Sequence, residues 1–106
     1  MINQMMDHIN SLHEHLLSMK GCSAAPHFEK TAYRTKKRIF ASLDADRSIL
    51  CVKLSPVQQS VFLGLAGIEK IPNKWGDHGW TNIHIREAGM EITLEMCALA
   101  YANALC

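Results

Sequence analysis

The stretch Trp75-Gly76-Asp77-His78-Gly79-Trp80-Thr81 sets the fold of this chain, because it gathers both tryptophans of the sequence around two glycines. Glycine adopts positive φ angles at little steric cost, and bulky indoles fix a turn to the structure around it. We therefore expect a defined turn over residues 75–79. From Trp80 to Ile85 the side chains alternate between two faces, which predicts a strand directly after the turn.

Three earlier segments predict strands, because they are short, rich in residues that suit a pleated surface, and bounded by polar turns. They cover residues 31–34, 38–43 and 48–54, with turns at 35–37 and 44–47. These three strands predict an antiparallel meander. Residues 22–29 contain Ser and Pro and are interpreted as a connection, and residues 68–72 as a short extended piece.

Apolar residues at three- and four-residue spacing predict an amphipathic first helix that stops at Gly21. Its stripe consists of Ile2, Met5, Met6, Ile9, Leu12, Leu16 and Met19. Ser55, Pro56 and Gln58 predict the start of a second helix, with a Ser cap, a Pro at the first position and a capping box. Gly67 is expected to end it. Its inward stripe is predicted to be Val57, Val61, Phe62 and Leu65.

A third helix at the C-terminal end is predicted by an apolar stripe, with acidic residues on another face. The stripe consists of Met90, Leu94, Cys97, Tyr101 and Leu105, and the acids are Glu87, Glu91 and Glu95. The predicted order is α-β-β-β-α-β-β-α. Runs of strands, rather than strict alternation with helices, favour an α+β domain in which helices pack against an antiparallel sheet of about five strands.

Length and composition limit the classes of protein to which the chain can belong. With 106 residues and 48% hydrophobic side chains, we expect one domain, residues 1–106, with a real core. The net charge is only +1, but residues 87–106 hold three acids and no Lys or Arg, whereas residues 20–38 hold six basic side chains and one acid. Charge is therefore segregated along the sequence. The basic residues are Lys20, Lys30, Arg34, Lys36, Lys37 and Arg38.

The cysteines Cys22, Cys51, Cys97 and Cys106 form no C-x-x-C pair and have no His at zinc-finger spacing. We expect free thiols in a cytoplasmic protein, with Cys51 and Cys97 as small buried hydrophobes. Asp7 interrupts the apolar N-terminal pattern, so we expect no signal peptide. No apolar run approaches the ~18 residues of a membrane span, so we expect no membrane partner.

Several short motifs carry a family resemblance through their order and spacing. They are Tyr33-Arg34, Lys37-Arg38-Ile39-Phe40-Ala41-Ser42, Val52-Lys53-Leu54-Ser55-Pro56, Trp75-Gly76-Asp77-His78-Gly79-Trp80-Thr81, and Tyr101. Together they resemble the MmcQ/YjbR family of small bacterial proteins, over residues 8–104. The resemblance implies an α-β(3)-α-β(2)-α layout, akin to type III secretion chaperones and the frataxin-like sheet. It also implies DNA binding, because the sheet of that family is likened to a "double wing" module of a viral transcription factor.

The basic hairpin is the first candidate site. A wing of this kind can lay lysines along phosphates while an aromatic ring stacks on a base or sugar. We expect weak DNA binding without strong sequence preference. The alternative is a solvated turn whose lysines protect a sheet edge against aggregation. The predicted nucleic-acid-binding residues are Lys30, Tyr33, Arg34, Lys36, Lys37, Arg38 and Trp80.

Other surfaces offer a function of a different class. A partner protein or a second copy could dock on apolar helix faces, on the Met-rich first helix or on the acidic last helix. The protein would then be a chaperone-like adaptor, either a monomer or a weak homodimer.

No motif of the sequence indicates catalysis or a metal site. Asp77 and His78 form an ionisable pair, but no nucleophile accompanies them. His13-Glu14-His15 lacks the spacing of the H-E-x-x-H zinc motif. We expect a non-enzymatic protein without catalytic residues, metal or cofactor.

Overall fold

Helices pack against a six-stranded antiparallel sheet, which confirms the predicted α+β class. The structure, a computed structural model, describes the backbone of residues 2–106 and the side chains of residues 7–106. The strands are β1 (Ser23–His27), β2 (Lys30–Arg34), β3 (Ile39–Asp44), β4 (Ile49–Lys53), β5 (Ile68–Lys70) and β6 (Trp80–His84), in the order β1-β2-β3-β4-β6-β5. The helices are α1 (Ile2–Ser18), α2 (Pro56–Phe62), α3 (Lys74–Asp77), α4 (Ile85–Ala88) and α5 (Met90–Leu105). None of these described helices is both long enough and apolar enough to cross a membrane.

The strand β1 corrects the prediction that residues 22–29 form a connection. Its sequence, Ser-Ala-Ala-Pro-His, has almost no residue type that favours a strand. Pairing with β2 supplies the missing stabilisation, from Ser23 opposite Arg34 to His27 opposite Lys30. Because β1 lies at the edge of the sheet, Pro26 is tolerated there and discourages pairing with other chains. The sheet therefore has one strand more than predicted.

The strands β2, β3 and β4 form the predicted meander. Their register shifts between Tyr33 and Arg34, so β3 carries one extra residue, Phe40. This bulge turns the ring of Phe40 toward the helices, where it meets Tyr101 edge-on with the ring centroids 5.8 Å apart. The aromatic pair therefore ties α5 to the sheet.

The core lies between the sheet and the two long helices, α1 and α5. On α1, Ile9, Leu12 and Leu16 are buried, as the apolar spacing predicts. Full burial of one such side chain contributes about 1.5–3 kcal/mol, so these three residues hold α1 in place. The stripe members that fall outside the described side chains are Ile2, Met5 and Met6.

The buried face of α5 differs from the predicted stripe. Within that stripe Cys97 is fully buried, Leu105 is exposed, and the other members are only partly buried. The helix is apolar on most of its circumference, so periodicity does not reveal which side faces the core. Small side chains let the helix approach the sheet closely. The residues that face the core are Thr93, Met96, Cys97, Ala100 and Ala104.

A break at Gly89 separates α4 from α5. Gly89 has a φ of 87°, which glycine adopts without strain. Glu87 therefore lies on α4, whereas Glu91 and Glu95 are exposed on α5. The predicted acidic stripe of a single helix is wrong for Glu87.

The helix α2 begins as predicted but turns a different face to the core. Ser55 and Gln58 form the capping box, each side chain accepting the backbone N–H of the other residue. Phe62 is buried as predicted, but Val57 and Val61 are 77% and 71% exposed. The predicted inward stripe is therefore wrong for these valines, and also for Leu65, which is exposed and lies after the helix ends at Phe62. An apolar face of the helix points to solvent.

A buried glutamine sets the rotation of α2. The amide nitrogen of Gln59 donates to the Gly76 carbonyl at 2.9 Å, to Thr81 Oγ1 at 3.0 Å and to the Trp80 carbonyl at 3.3 Å. A hydrogen bond contributes about 0.5–1.5 kcal/mol net, so turning Gln59 outward would lose these contacts. They hold this side of α2 against the segment from Gly76 to Thr81, which leaves Val57 and Val61 on the opposite, exposed side.

The two glycines between the tryptophans let separate backbone segments touch. A Cβ on Gly76 would lie 1.9 Å from the Ile71 carbonyl oxygen, and a Cβ on Gly79 would lie 1.8 Å from the Leu54 carbonyl oxygen. The Leu54 N–H also donates to the Gly79 carbonyl at 3.1 Å, just beyond the β4–β6 ladder. The turn predicted at residues 75–79 is thus a single helical turn, α3, that closes at Gly79 with a φ of 112°.

We expect Gly79→Ala to destabilise the protein by about 2–5 kcal/mol. The substitution adds a clash of about 1–3 kcal/mol to a backbone conformation that costs an L residue about 1–2 kcal/mol. Gly64→Ala is the matched control, because a Cβ on Gly64 meets nothing within 4 Å and its φ is not positive. Denaturant titration should show a change of less than about 1 kcal/mol for the control. Equal stability of the two variants would contradict the close approach at Gly79.

Candidate functional site

The sheet face that turns away from the core has a row of small side chains across its middle. The strand register aligns Ala32, Ser42, Cys51 and Asn82 on four neighbouring strands. The last three of these floor a groove of about 1110 Å³. Neighbouring strands lie about 4.8 Å apart, so two spacings make this floor on the order of 10 Å long. The groove has room for an extended ligand, since pockets for drug-sized molecules hold about 300–1,000 Å³.

Aromatic rings border this groove. Phe28 is 94% exposed and Trp75 is 56% exposed, whereas Trp80 is half-buried. The charged lining has one more acid than base, so the interior of the groove does not attract a chain of phosphates. It suits flat, weakly polar groups instead. The charged residues of the lining are Glu29, Lys30, Asp44, Asp46 and Arg47.

The exposed ring of Phe28 is held at the tip of the β1–β2 hairpin. His27 pairs with Lys30, which leaves Phe28 and Glu29 as a two-residue loop. Phe28 has a φ of 59° at the first loop position, where type II′ hairpins prefer glycine. A bulky residue in this conformation is unusual, and its exposed ring gains little from packing. The hairpin tip therefore presents an aromatic ring to solvent at a conformational cost.

A second cleft, of about 230 Å³, lies where the β2–β3 turn meets the ends of β4 and β6. Its lining includes Arg38, Lys53 and Trp80, and within the described side chains, residues 7–106, no Asp or Glu lines it. Arg34 lies beside this cleft, opposite Ile39. The cleft unites the basic hairpin with the tryptophan segment. The basic strip, as we call the cations at this end of the sheet, comprises Arg34, Lys36, Lys37, Arg38 and Lys53.

The basic turn also has a structural role at the end of α5. Thr35 Oγ1 donates to the Ala104 carbonyl at 2.7 Å, and the Arg38 guanidinium donates to the Cys106 carbonyl at 3.1 Å. The last carbonyls of a helix have no partner within the helix and carry partial negative charge, so a cation there is stabilising. Arg38 is thus partly structural, whereas Lys36 and Lys37 are exposed at the tip of the turn.

Tyr33, predicted to stack on a base or sugar, is fully buried on the core side of β2. Its hydroxyl lies 2.6 Å from His13 Nδ1, and burial raises the pKa of Tyr33 to about 12. A ring enclosed by the core offers no face to a nucleobase, so this prediction is wrong for Tyr33. The segment from Thr31 to Arg34 has no clear alternation of polar and apolar residues, which is why the sequence does not reveal its orientation.

The other predicted residues stay accessible, but they do not form a single cluster. Lys30 lines the large groove at the end away from the basic strip, and Trp80 lines both clefts. The prediction omits Lys53, Trp75 and Phe28 from the site. Lys53 and Trp75 lie within motifs that carry the family resemblance, whereas Phe28 lies in the segment interpreted as a connection and gave no signal.

The Cys51 thiol in the large groove and the Asp77 carboxyl of the tryptophan segment have shifted pKa values. Burial raises the pKa of the Cys51 thiol to about 11, so Cys51 is protonated at neutral pH and a poor nucleophile. Asp77 forms an ion pair with Lys70 at 2.8 Å, and the hydrogen bond from Lys70 lowers the pKa of Asp77. All four cysteines are free. Within residues 7–106, no three His, Cys, Asp or Glu side chains lie close enough together to hold a metal ion.

The fold has a solved counterpart. A crystal structure of a Pseudomonas syringae protein, a structural-genomics target, is similar with a TM-score of 0.68, covering 90% of this chain and 97% of that chain. The two sequences are 9% identical, so the likeness concerns the fold alone. No protein-family model and no curated protein matches the chain. The clefts must therefore be interpreted from their own geometry and charge.

We expect Phe28→Gly to leave the stability unchanged or to raise it by up to about 1.5 kcal/mol. The left-handed conformation costs an L residue about 1–2 kcal/mol, and glycine adds about 0.5–1 kcal/mol of backbone entropy. Phe28→Ala, which removes the ring but keeps the conformational cost, is the control and should be no more stable than the wild type. Thermal denaturation measures both. A clear loss of stability in Phe28→Gly would show that the ring stabilises the fold.

Proposed function

We propose that this protein binds nucleic acid, without catalysing a reaction, through the basic strip and Trp80. The observation that carries the proposal is the cleft shared by Arg38, Lys53 and Trp80, whose described lining has no acid. Cations contact phosphates whatever the sequence, and an indole stacks on a base or sugar. The motif resemblance to the MmcQ/YjbR family agrees with this function. The free cysteines favour a cytoplasmic location.

The distribution of charge supports one particular end of the sheet. The basic strip places five cations around the β2–β3 turn and the end of β4. At the opposite end of these strands, the β3–β4 turn carries Asp44 and Asp46 beside Arg47. A phosphate chain is attracted to the first region and gains nothing from the second. Binding is expected to be weak and strongly dependent on salt.

We expect Lys36→Glu plus Lys37→Glu to weaken binding of fluorescently labelled DNA by at least about tenfold at low salt, measured by anisotropy. The plot of log K against log salt has a negative slope, and each phosphate that a lysine no longer neutralises makes it less steep by about 0.9 for duplex DNA. Loss of both lysines should therefore reduce the steepness by up to about 1.8. Both side chains are exposed at the tip of the turn, so the fold should be unaffected.

The matched control for this experiment is Lys20→Glu plus Arg86→Glu. It changes the net charge by the same amount at two exposed positions outside the basic strip. The control should keep most of the affinity of the wild type. The proposal fails if the wild type does not bind at low salt, or if both double variants lose affinity equally.

The exposed face of α2 favours a second candidate function, an adaptor that associates through apolar contacts. Val57 and Val61 are exposed one helical turn apart on α2, and Leu65, in the turn after the helix, is also exposed. No charged residue occurs from Ser55 to Ile68, so this surface has neither a charge to repel a partner nor one to select it. Exposed contiguous apolar surface is typical of protein-interaction sites. The simplest partner is the same face of a second copy, which forms a weak symmetric dimer.

If α2 mediates self-association, light scattering at high protein concentration should show a dimer that persists at high salt, because apolar contacts are not screened. Val57→Asp plus Val61→Asp should then give a monomer, whereas Ser60→Asp on the same helix should leave the dimer largely intact. A dimer that dissociates at high salt would indicate docking of the acidic α5 on the basic strip instead. A wild type that is monomeric at every concentration contradicts both contacts.

A further inference from the structure

We infer that the nucleic acid held at the basic strip is single-stranded, with its bases lying in the large groove. This inference rests on the proposed function and specifies the ligand of the same site. Trp80 is the physical link, because it lines both the basic cleft and the large groove. A ligand that contacts Trp80 from the basic strip is therefore already at the entrance of the groove.

The outer face of the sheet has a basic part and a part lined by aromatic rings, which matches the two sides of a single strand of nucleic acid. A single strand has a charged phosphate side and a flat, uncharged base side. The basic strip lies at one end of the strands, and the groove beside it has exposed aromatic rings and one more acid than base in its charged lining. The strip attracts phosphates, while Asp44 and Asp46 keep them out of the groove. Carboxylates also accept hydrogen bonds from the amino groups of bases.

A duplex does not match this division. Its base faces are stacked inside the helix, and its outer surface carries phosphates on both strands, so the rings of Trp75 and Phe28 would meet no base. Stacking on them would require bases to leave the helix, which costs unstacking free energy. A single strand offers its base faces without that cost.

The size of the groove fits a short run of bases. Its floor crosses the three strands β3, β4 and β6, on the order of 10 Å. Four-stranded sheets that carry exposed aromatic rings stack about two or three bases of single-stranded RNA. Trp75 and Trp80 lie toward one end of this groove, and Phe28 lies at the other. The strained, exposed position of Phe28 is explained if its ring stacks on the ligand and not on the protein.

The decisive comparison uses one 12-nucleotide mixed sequence as single-stranded DNA, as single-stranded RNA and as a DNA duplex. We expect at least one single strand to bind about tenfold or more tightly than the duplex at equal salt, measured by anisotropy. Binding should also quench the intrinsic fluorescence, because the only tryptophans, Trp75 and Trp80, both border the groove. Tighter binding of the DNA strand or of the RNA strand identifies the form of the ligand.

Two variants of the groove test the contribution of stacking. Phe28→Gly and Trp75→Leu should each weaken single-strand binding about five- to a hundredfold, the range for loss of one stacked base. The affinity for the duplex should stay the same. Leu17→Ser is the matched control, since it removes an exposed apolar side chain from α1 and should leave binding unchanged. Circular dichroism of each variant confirms that the fold is intact.

The outcomes of these experiments separate this inference from the proposed function. The inference is overturned, while the proposed function stands, if the duplex binds as tightly as the single strands. The same conclusion follows if Phe28→Gly and Trp75→Leu both leave the affinity for the single strand unchanged. If neither the strands nor the duplex bind the wild type at low salt, the proposed function fails and the inference fails with it. Preferential single-strand binding that depends on Phe28 and Trp75 supports both.

Discussion

The backbone of Gly79 lies against the carbonyl of Leu54, and most of the surrounding packing follows from that contact. No side chain fits between these two residues, and none fits between Gly76 and Ile71. The close approach places α3 against the end of β4 and starts β6 in register beside it. The buried amide of Gln59 then bonds this same backbone and fixes the rotation of α2. A small set of backbone contacts thus positions the centre of the sheet and the helix above it.

The candidate site is a consequence of this arrangement. Placing Trp80 at the start of β6 sets its indole beside Lys53 on β4, and both then line a cleft with Arg38 of the β2–β3 turn. The turn itself is anchored because Thr35 and Arg38 donate to the last carbonyls of α5. The same contacts that stabilise α5 therefore hold the cations of the basic strip in one place. Stability and the proposed binding surface share residues here.

Apolar side chains are exposed to solvent at two places, and both exposures lower the stability of the folded chain. Phe28 keeps a bulky ring in solvent with a positive φ, and Val57 and Val61 turn an apolar face outward. The valines are exposed because the hydrogen bonds of buried Gln59 hold the opposite side of α2 against the segment from Gly76 to Thr81. Phe28 has no such internal reason, since its ring contacts little apart from His27. The exposure of the valines is therefore a result of the packing of α2, whereas the packing of the chain does not explain the exposure of Phe28.

Local chemistry made several elements predictable from the sequence. The capping box at Ser55, the alternation of β6 and the meander of residues 31–54 could be predicted, because propensity, turn residues and periodicity agree there. Other features arise only through tertiary contacts. The strand β1 forms because β2 pairs with it, Tyr33 turns inward although the residues around it do not alternate, and α5 is too uniformly apolar to show its buried side. The side of a strand or helix that faces the core depends on packing partners distant in sequence, and local sequence patterns do not contain that information.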